Sequence, residues 1–176
     1  MVRYLIVFGL LLQAGQILAE TIEGRVVGVH DGDTITVLDG TKTQHKIRLA
    51  GIDAPELKQA FGQTSKKYLS ELVFGKDVGV EWKKHDRYGR IIGKVMVQPQ
   101  DCSTCQQTRD AGLAQLEAGM AWWYREYRRE QTLEDQGYYE YAEFDAKTQR
   151  RGLWADADPI QPWEWRKKTQ VVAQFD

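Results

Sequence analysis

An α+β fold dominated by antiparallel strands is what this 176-residue sequence predicts. Two patterns carry that expectation. Over residues 24–37, branched apolar and polar residues alternate across an Asp31-Gly32 turn, the period-two signature of half-buried strands. Later stretches change to helical spacing. Asp39-Gly40 is a tight-hairpin signal and leads into a third strand over 44–49. Residues 63–73 put Tyr68, Leu69, Leu72 and Val73 on one helical face, and Gly75 closes that helix. Residues 78–82 and 91–97 read as strands four and five, joined around Tyr88-Gly89. A second helix, about 110–118, presents Leu113 and Leu116 before Gly119. A third, roughly 138–149, carries Tyr138, Tyr141, Ala142 and Phe144. Five strands, a helix after the third and about three α-helices in all suggest a small Greek-key barrel.

Composition sets limits on function. The chain is 42% hydrophobic and 28% charged, an ordinary globular balance in a length that supports one domain with a real core. Its formal net charge of -1 is unusual for a polyanion's partner, since non-specific nucleic-acid binding draws on positive charge and counterion release. Positive charge must therefore be local. Residues 1–19 join Arg3, an apolar run and a weaker segment ending at Ala19, the order of a secretory signal. Cleavage after Ala19 is the preferred reading and an uncleaved membrane anchor the alternative. Either way the domain is exported, periplasmic or secreted. The folded domain is expected over 22–168, with a tail over 169–176.

The chemistry concentrates in three acidic clusters. His30-Asp31-Gly32-Asp33-Thr34 comes first, then Arg48 through Asp53-Ala54-Pro55-Glu56, then Asp86-Arg87-Tyr88-Gly89-Arg90. Carboxylates suit a hard divalent cation, and an arginine fork matches phosphate oxygens, so the arrangement proposes metal-assisted cleavage of a phosphodiester. Each residue has a blander reading. Asp31-Gly32-Asp33 could be a turn bonded to its own amides. Glu56 could be a surface charge after Pro55, and the arginines could be solvated. The ligand types alone permit calcium, magnesium or manganese. His30, His45 and His85 are too scattered for a zinc site. Trp122, Trp123, Trp163 and Trp165 read as core packing and a clamp of the C-terminal segment on the barrel. Cys102 and Cys105 sit in a polar loop, and in an exported protein they are expected to form a local disulfide.

These three motifs, in this order and spacing, resemble those of the staphylococcal nuclease family, and Gly119-Met120-Ala121-Trp122 and Arg151-Gly152-Leu153-Trp154 resemble two later landmarks. The resemblance covers roughly 22–168. It implies a five-stranded OB-fold barrel and a calcium-dependent nuclease acting on DNA and RNA with little sequence preference, leaving 3′-phosphate ends. It implies Asp33, Asp53 and the Ala54 carbonyl as Ca2+ ligands, with Asp31 as a supporting carboxylate. Glu56 would stand beside the attacking water, as a base or as a positioner. Arg48 and Arg90 would bracket the phosphate, while Arg87, Tyr88 and Tyr127 line the nucleotide pocket. Ala54 departs from the family's usual threonine, which spares a carbonyl ligand and removes a hydroxyl. Arg125 stands where a second tyrosine is common, which would trade stacking for phosphate attraction. No stable protein partner is implied, and a membrane enters only if the N-terminal segment stays uncleaved. The alternative function is a non-catalytic nucleic-acid-binding module, and the presence of all five key side chains disfavours it.

Overall fold

The computed structural model describes residues 20–99 and 105–172. The segment read as a signal, 1–19, and Cys102 lie outside them. Strands β1 (Glu20–Val29), β2 (Thr34–Asp39), β3 (Gln44–Leu49) and the two-residue β4 (Ile52–Asp53) precede helix α1 (Gly62–Val73). Then follow β5 (Asp77–His85), β6 (Ile91–Val97), the short β7 (Arg109–Asp110), α2 (Ala111–Glu117) and the short β8 (Trp122–Trp123). Helices α3 (Leu133–Thr148) and α4 (Pro162–Val172) complete the chain, with single 3₁₀ turns at Arg125–Glu130 and Gly152–Ala155.

The sheet order is β3-β2-β1-β5-β6-β7, and β3 also pairs with β6, which closes the barrel. That closing pairing is parallel, while the other strand pairs of the barrel are antiparallel. Alternation drives the closure: along β6, Ile91, Gly93, Val95 and Val97 turn inward and the residues between them are half-exposed. Val26, Ile35, Val37, Ile47, Leu49, Val78 and Val80 fill the interior from the other strands, and Leu69 and Val73 of α1 and Leu116 of α2 join them. Each buried branched side chain contributes roughly 1.5–3 kcal/mol of transfer free energy. The barrel, its α+β class and the helix after the third strand agree with the sequence reading.

The hairpin between β2 and β3 is not the two-residue turn that Asp39-Gly40 suggests. Asp39 Oδ1 instead accepts the amides of Thr41 and Thr43, and Lys42 takes the left-handed conformation at φ 66°. Helix α3 also differs from expectation. It begins at Leu133, capped by Thr132, whose side chain accepts the Asp135 amide. It buries Tyr139, Ala142, Glu143 and Ala146, leaving Tyr138, Tyr141 and Phe144 exposed. Ala142 and Ala146 allow close approach, while Tyr139 and Glu143 are buried with polar partners, Tyr139 donating to Asp110 and Glu143 accepting from Trp123, Arg125 and Lys147. A fourth α-helix, α4, adds to the expected set of about three. Its start carries Pro162 at the first helical position and Glu164 in the first turn.

A second, smaller core joins the C-terminal third to the barrel: Trp122, Ala146, Leu153 and Trp154, with Phe61 and Trp163 packed on it. The Trp122 and Trp154 rings meet edge-on at 4.2 Å. The carbonyl of Gly119, a residue at φ 67°, accepts the Leu153 amide at 2.9 Å, and a Cβ there would overlap the Arg151 carbonyl. The expected clamp of the C-terminal segment is thus built on backbone contact and indole packing.

One buried charge holds these layers in register. Glu143, 1% exposed, accepts the Trp123 amide at 3.0 Å, Arg125 at 2.8 Å and Lys147 at 2.9 Å. Replacing Glu143 with Ala leaves that amide without a partner and two cations facing a cavity. Destabilisation of about 2–4 kcal/mol is expected in chemical denaturation. A loss under 1 kcal/mol would show that water replaces the carboxylate.

Candidate functional site

At the rim of the barrel three loops deliver the acidic clusters to one place. The loop from β1 to β2 carries Asp31 and Asp33. Asp31 Oδ1 accepts the Asp33 amide at 3.0 Å, as the turn reading of this segment requires. Asp33 goes further: its Oδ1 accepts the Thr34 hydroxyl at 2.8 Å, and its Oδ2 accepts the Ala54 amide at 3.1 Å. Asp33 is 6% exposed and Asp53 1%. The turn is present, and it aims the second carboxylate inward. Behind it, the buried Gln115 of α2 donates to the Gly32 carbonyl and to the Ser65 carbonyl at 3.3 Å.

The chain reverses from β3 into β4 through Gly51, at φ 74°, and β4 is pinned by pairing Asp53 with Trp122 and Ile52 with Trp123. Arg48, at the end of β3, therefore lies across the turn from Asp53. Its Nη2 donates to Asp53 Oδ1 at 3.2 Å and to the Ile52 carbonyl at 3.3 Å, and stands 3.9 Å from Asp33 Oδ2. Burial penalises this guanidinium, but the Asp33 and Asp53 charges outweigh it and raise its pKa.

Arg90 arrives from the loop between β5 and β6. Gly89 takes φ 77° there, and Asp86 accepts the Tyr88 and Arg90 amides and Arg90 Nε at 2.7 Å. Burial works against the Asp86 carboxylate, yet the bonds from Arg90 and Tyr88 hold its pKa below the usual value. Arg90 Nη1 reaches Thr34 Oγ1 at 3.5 Å, and Thr34 is bonded to Asp33, so one chain of contacts joins both arginines to one carboxylate. Arg87 and Arg90 lie against the 68%-exposed Tyr88 ring, at 4.8 and 5.6 Å.

Glu56, after the Pro55 bend, is held by its backbone amide to Gln59 at 3.1 Å. Its carboxylate meets a residue that sequence reading missed. Arg166 of α4 donates to Glu56 Oε1 at 2.8 Å and to both Asp53 oxygens, Oδ2 at 2.7 Å and Oδ1 at 3.2 Å. Tyr124 was missed too. It stands 5.8 Å from the Arg48 guanidinium, meets Tyr127 edge-on at 4.9 Å, and stacks on Trp163 at 5.2 Å and 12°. Tyr127 thus reaches the site through Tyr124. Arg125 turns away, to Glu143 and over the Trp123 ring at 4.3 Å, so the phosphate attraction expected of it has no support in its placement. Cys105 is disulfide-bonded and lies far along the chain from these groups.

Four carboxylates, Asp31, Asp33, Asp53 and Glu56, face Arg48, Arg90 and Arg166. Burial, and next the Asp33 charge, raise the Asp31 pKa to about 6. Burial likewise raises that of Asp53, against the opposing bonds from Arg166. Burial leads both shifts, so desolvation is what most favours the protonated forms of these two carboxylates. The all-oxygen donor set of Asp33, Asp53 and Glu56 fits a hard divalent cation in chemistry. Among the described residues, no three His, Cys, Asp or Glu side chains converge closely enough to hold a metal ion, and Arg166 lies between Asp53 and Glu56. A cavity of about 280 Å³ lies beyond Ala50, lined by Trp82, Lys84, Lys94 and Glu130, and holds none of these groups.

The family model for staphylococcal nuclease homologues matches residues 46–156. An Escherichia coli protein described as an uncharacterized endonuclease is 42% identical over 152 residues, covering 86% of this chain and 90% of its own. A Haemophilus influenzae protein of the same description is 41% identical over 152 residues, covering 86% and 77%. A Shigella flexneri micrococcal nuclease is 42% identical over 147 residues, covering 84% and 82%.

The Asp31–Asp33 loop depends on one missing side chain. A Cβ at Gly32 would overlap Ser65 Oγ and sit 2.7 Å from Ala54 Cβ, the residue whose amide holds Asp33. Gly32→Ala should cost about 1–3 kcal/mol in thermal or chemical unfolding through overpacking. It should also shift the backbone amide resonances of Asp33 and Ala54. Wild-type stability with unmoved resonances would show that the loop yields freely.

Proposed function

The chain belongs to the staphylococcal nuclease family, and we propose that it is an exported, calcium-dependent nuclease that hydrolyses DNA and RNA with little sequence preference. The observation that carries this reading is the convergence of Asp33, Arg48, Asp53 and Glu56, with Arg90 tied in through Thr34. Asp33 and Asp53, with the Ala54 carbonyl, would hold the cation. When bound, it supplies Lewis-acid neutralisation of the phosphate charge.

The chain's own residues account for the rest. Arg48 is fixed between two carboxylates, so its remaining N–H groups are held in place for a phosphate oxygen without reorganisation. Arg90, anchored by Asp86, presents its guanidinium on the other side of Thr34. Glu56 is the more exposed carboxylate and can orient water and take its proton. Water attacks phosphorus as its O–H bond breaks and its proton passes to Glu56, the P–O5′ bond breaks, and the 5′-oxygen leaves with a proton taken from solvent water. The 3′-phosphate product belongs to this proposal. Tyr88, Arg87 and Tyr127 offer exposed rings and cations beside the arginines, where a base could stack. The N-terminal order of Arg3, apolar run and Ala19 supports export of the mature domain.

Purified mature protein should cleave single-stranded DNA, duplex DNA and RNA when calcium is present and stop in excess chelator. End-group analysis should find 3′-phosphates. Undiminished cleavage in chelator would overturn the calcium mechanism. Arg48→Ala and Arg90→Ala should each slow turnover by roughly 10²-fold or more while the protein stays folded. Near-normal rates would return both to structural duty. Mass spectrometry of native protein should find a start near Glu20, and an intact Met1 would favour the anchor.

A further inference from the structure

We propose that Arg166 is a built-in counter-cation of this site, which a divalent cation must displace, so that cation loading is coupled to release of α4. The inference rests on the metal-dependent reading above and extends it to a helix that the family match does not reach, since that match ends at 156.

Arg166 engages its partners as a fork. Two nitrogens take both oxygens of Asp53, and Nη1 also takes Glu56 Oε1, across 113 and 110 residues of chain. Bidentate arginine–carboxylate contacts are the stronger, directional kind of ion pair. With Arg48 also on Asp53 Oδ1, three N–H groups occupy the nearly buried Asp53 carboxylate. A hard cation needs these same oxygens. Arg48 and Arg166 already share this desolvated carboxylate, so a further divalent charge meets repulsion from both and competes with Arg166 for the oxygens it holds.

The competition reaches α4 because little else holds the helix at that point. Its N-terminal end is anchored: Pro162 is buried, Trp163 stacks on Tyr124 and meets Trp122 edge-on at 6.0 Å, and Gln59 donates to the Ile160 carbonyl at 2.6 Å. Beyond Arg166, residues 167–170 are exposed. Arg166 itself is 38% exposed, and of the helix residues 166–170 it is the one that is not fully exposed. Once its carboxylates are taken, the C-terminal turns of α4 lose that hold.

The test measures binding and helix protection, independent of catalysis. Calcium affinity is determined by titration calorimetry for the wild type, Arg166→Gln and Arg166→Lys. Arg166→Lys keeps the charge without the fork and serves if the Gln variant fails to fold. Arg166→Gln should bind calcium about tenfold more tightly than the wild type, with Arg166→Lys between them. Hydrogen exchange of α4 amides should accelerate on adding calcium to the wild type and be fast without calcium in Arg166→Gln. Equal or weaker calcium binding by the variants, or wild-type α4 protection indifferent to calcium, overturns the proposal and leaves the nuclease reading standing. No calcium binding by any of the proteins overturns both.

Discussion

Asp33, on the loop before β2, and Asp53, at the end of β4, are nearly buried carboxylates, and the rest of the structure depends on keeping them together. Two desolvated negative charges at this separation repel, and burial alone pushes such groups towards their protonated forms. They stay side by side because neutral donors and guanidiniums are brought to them: Thr34 and the Ala54 amide to Asp33, Arg48 to both, Arg166 to Asp53. Every one of these partners comes from a different part of the barrel rim or from α4. The rim is therefore an electrostatic device as much as an end to the sheet.

The barrel's closure makes that possible. Parallel pairing of β3 with β6 puts Arg48 opposite Ile92, so the end of β3 and the loop before β6 share one edge. Antiparallel pairing of β2 with β3 sets Thr34 opposite Arg48. One register thus aligns Asp33, Thr34, Arg48 and the loop of Arg90. The polar side chains that the core encloses serve the same end. Gln115 crosses from α2 to fix the Gly32 carbonyl, and Glu143 crosses from α3 to fix the Trp123 amide on the strand that pairs with Asp53. Buried polar groups are costly unless satisfied, so their positions report where backbone placement matters most.

The sequence showed the barrel and most of the site because both are written locally. Alternation in residues 44–49 and 91–97 matches β3 and β6, since one face of each is core. The Arg48–Glu56 stretch carries its arginine and both carboxylates around one turn, so spacing alone brings them close. Arg166 and Tyr124 were not legible in this way, and Trp163 was legible only as part of the clamp, because what joins them to the site is tertiary. Pro162 and Glu164 mark the start of α4, but nothing in that helix says which carboxylates it meets. The face of α3 was misread for a related reason. Large apolar residues were expected inside, yet the inner face holds Tyr139, Ala142, Ala146 and an ion-paired Glu143, and Tyr138, Tyr141 and Phe144 are left to solvent.

The chain's net charge of -1 acquires a meaning from this arrangement. Attraction for a polyanion does not come from an overall positive field. On the proposed function it would come from Arg48, Arg87 and Arg90, set close to aromatic rings and, for Arg48 and Arg90, held by carboxylates behind them. Such an array acts over a few ångströms, inside the roughly 8 Å reach of screened charge at physiological salt. It favours a phosphate already seated at the rim over one elsewhere on the strand. An enzyme that must let its products go gains from that restriction, because tight binding along a long polyanion would hold the cut ends in place.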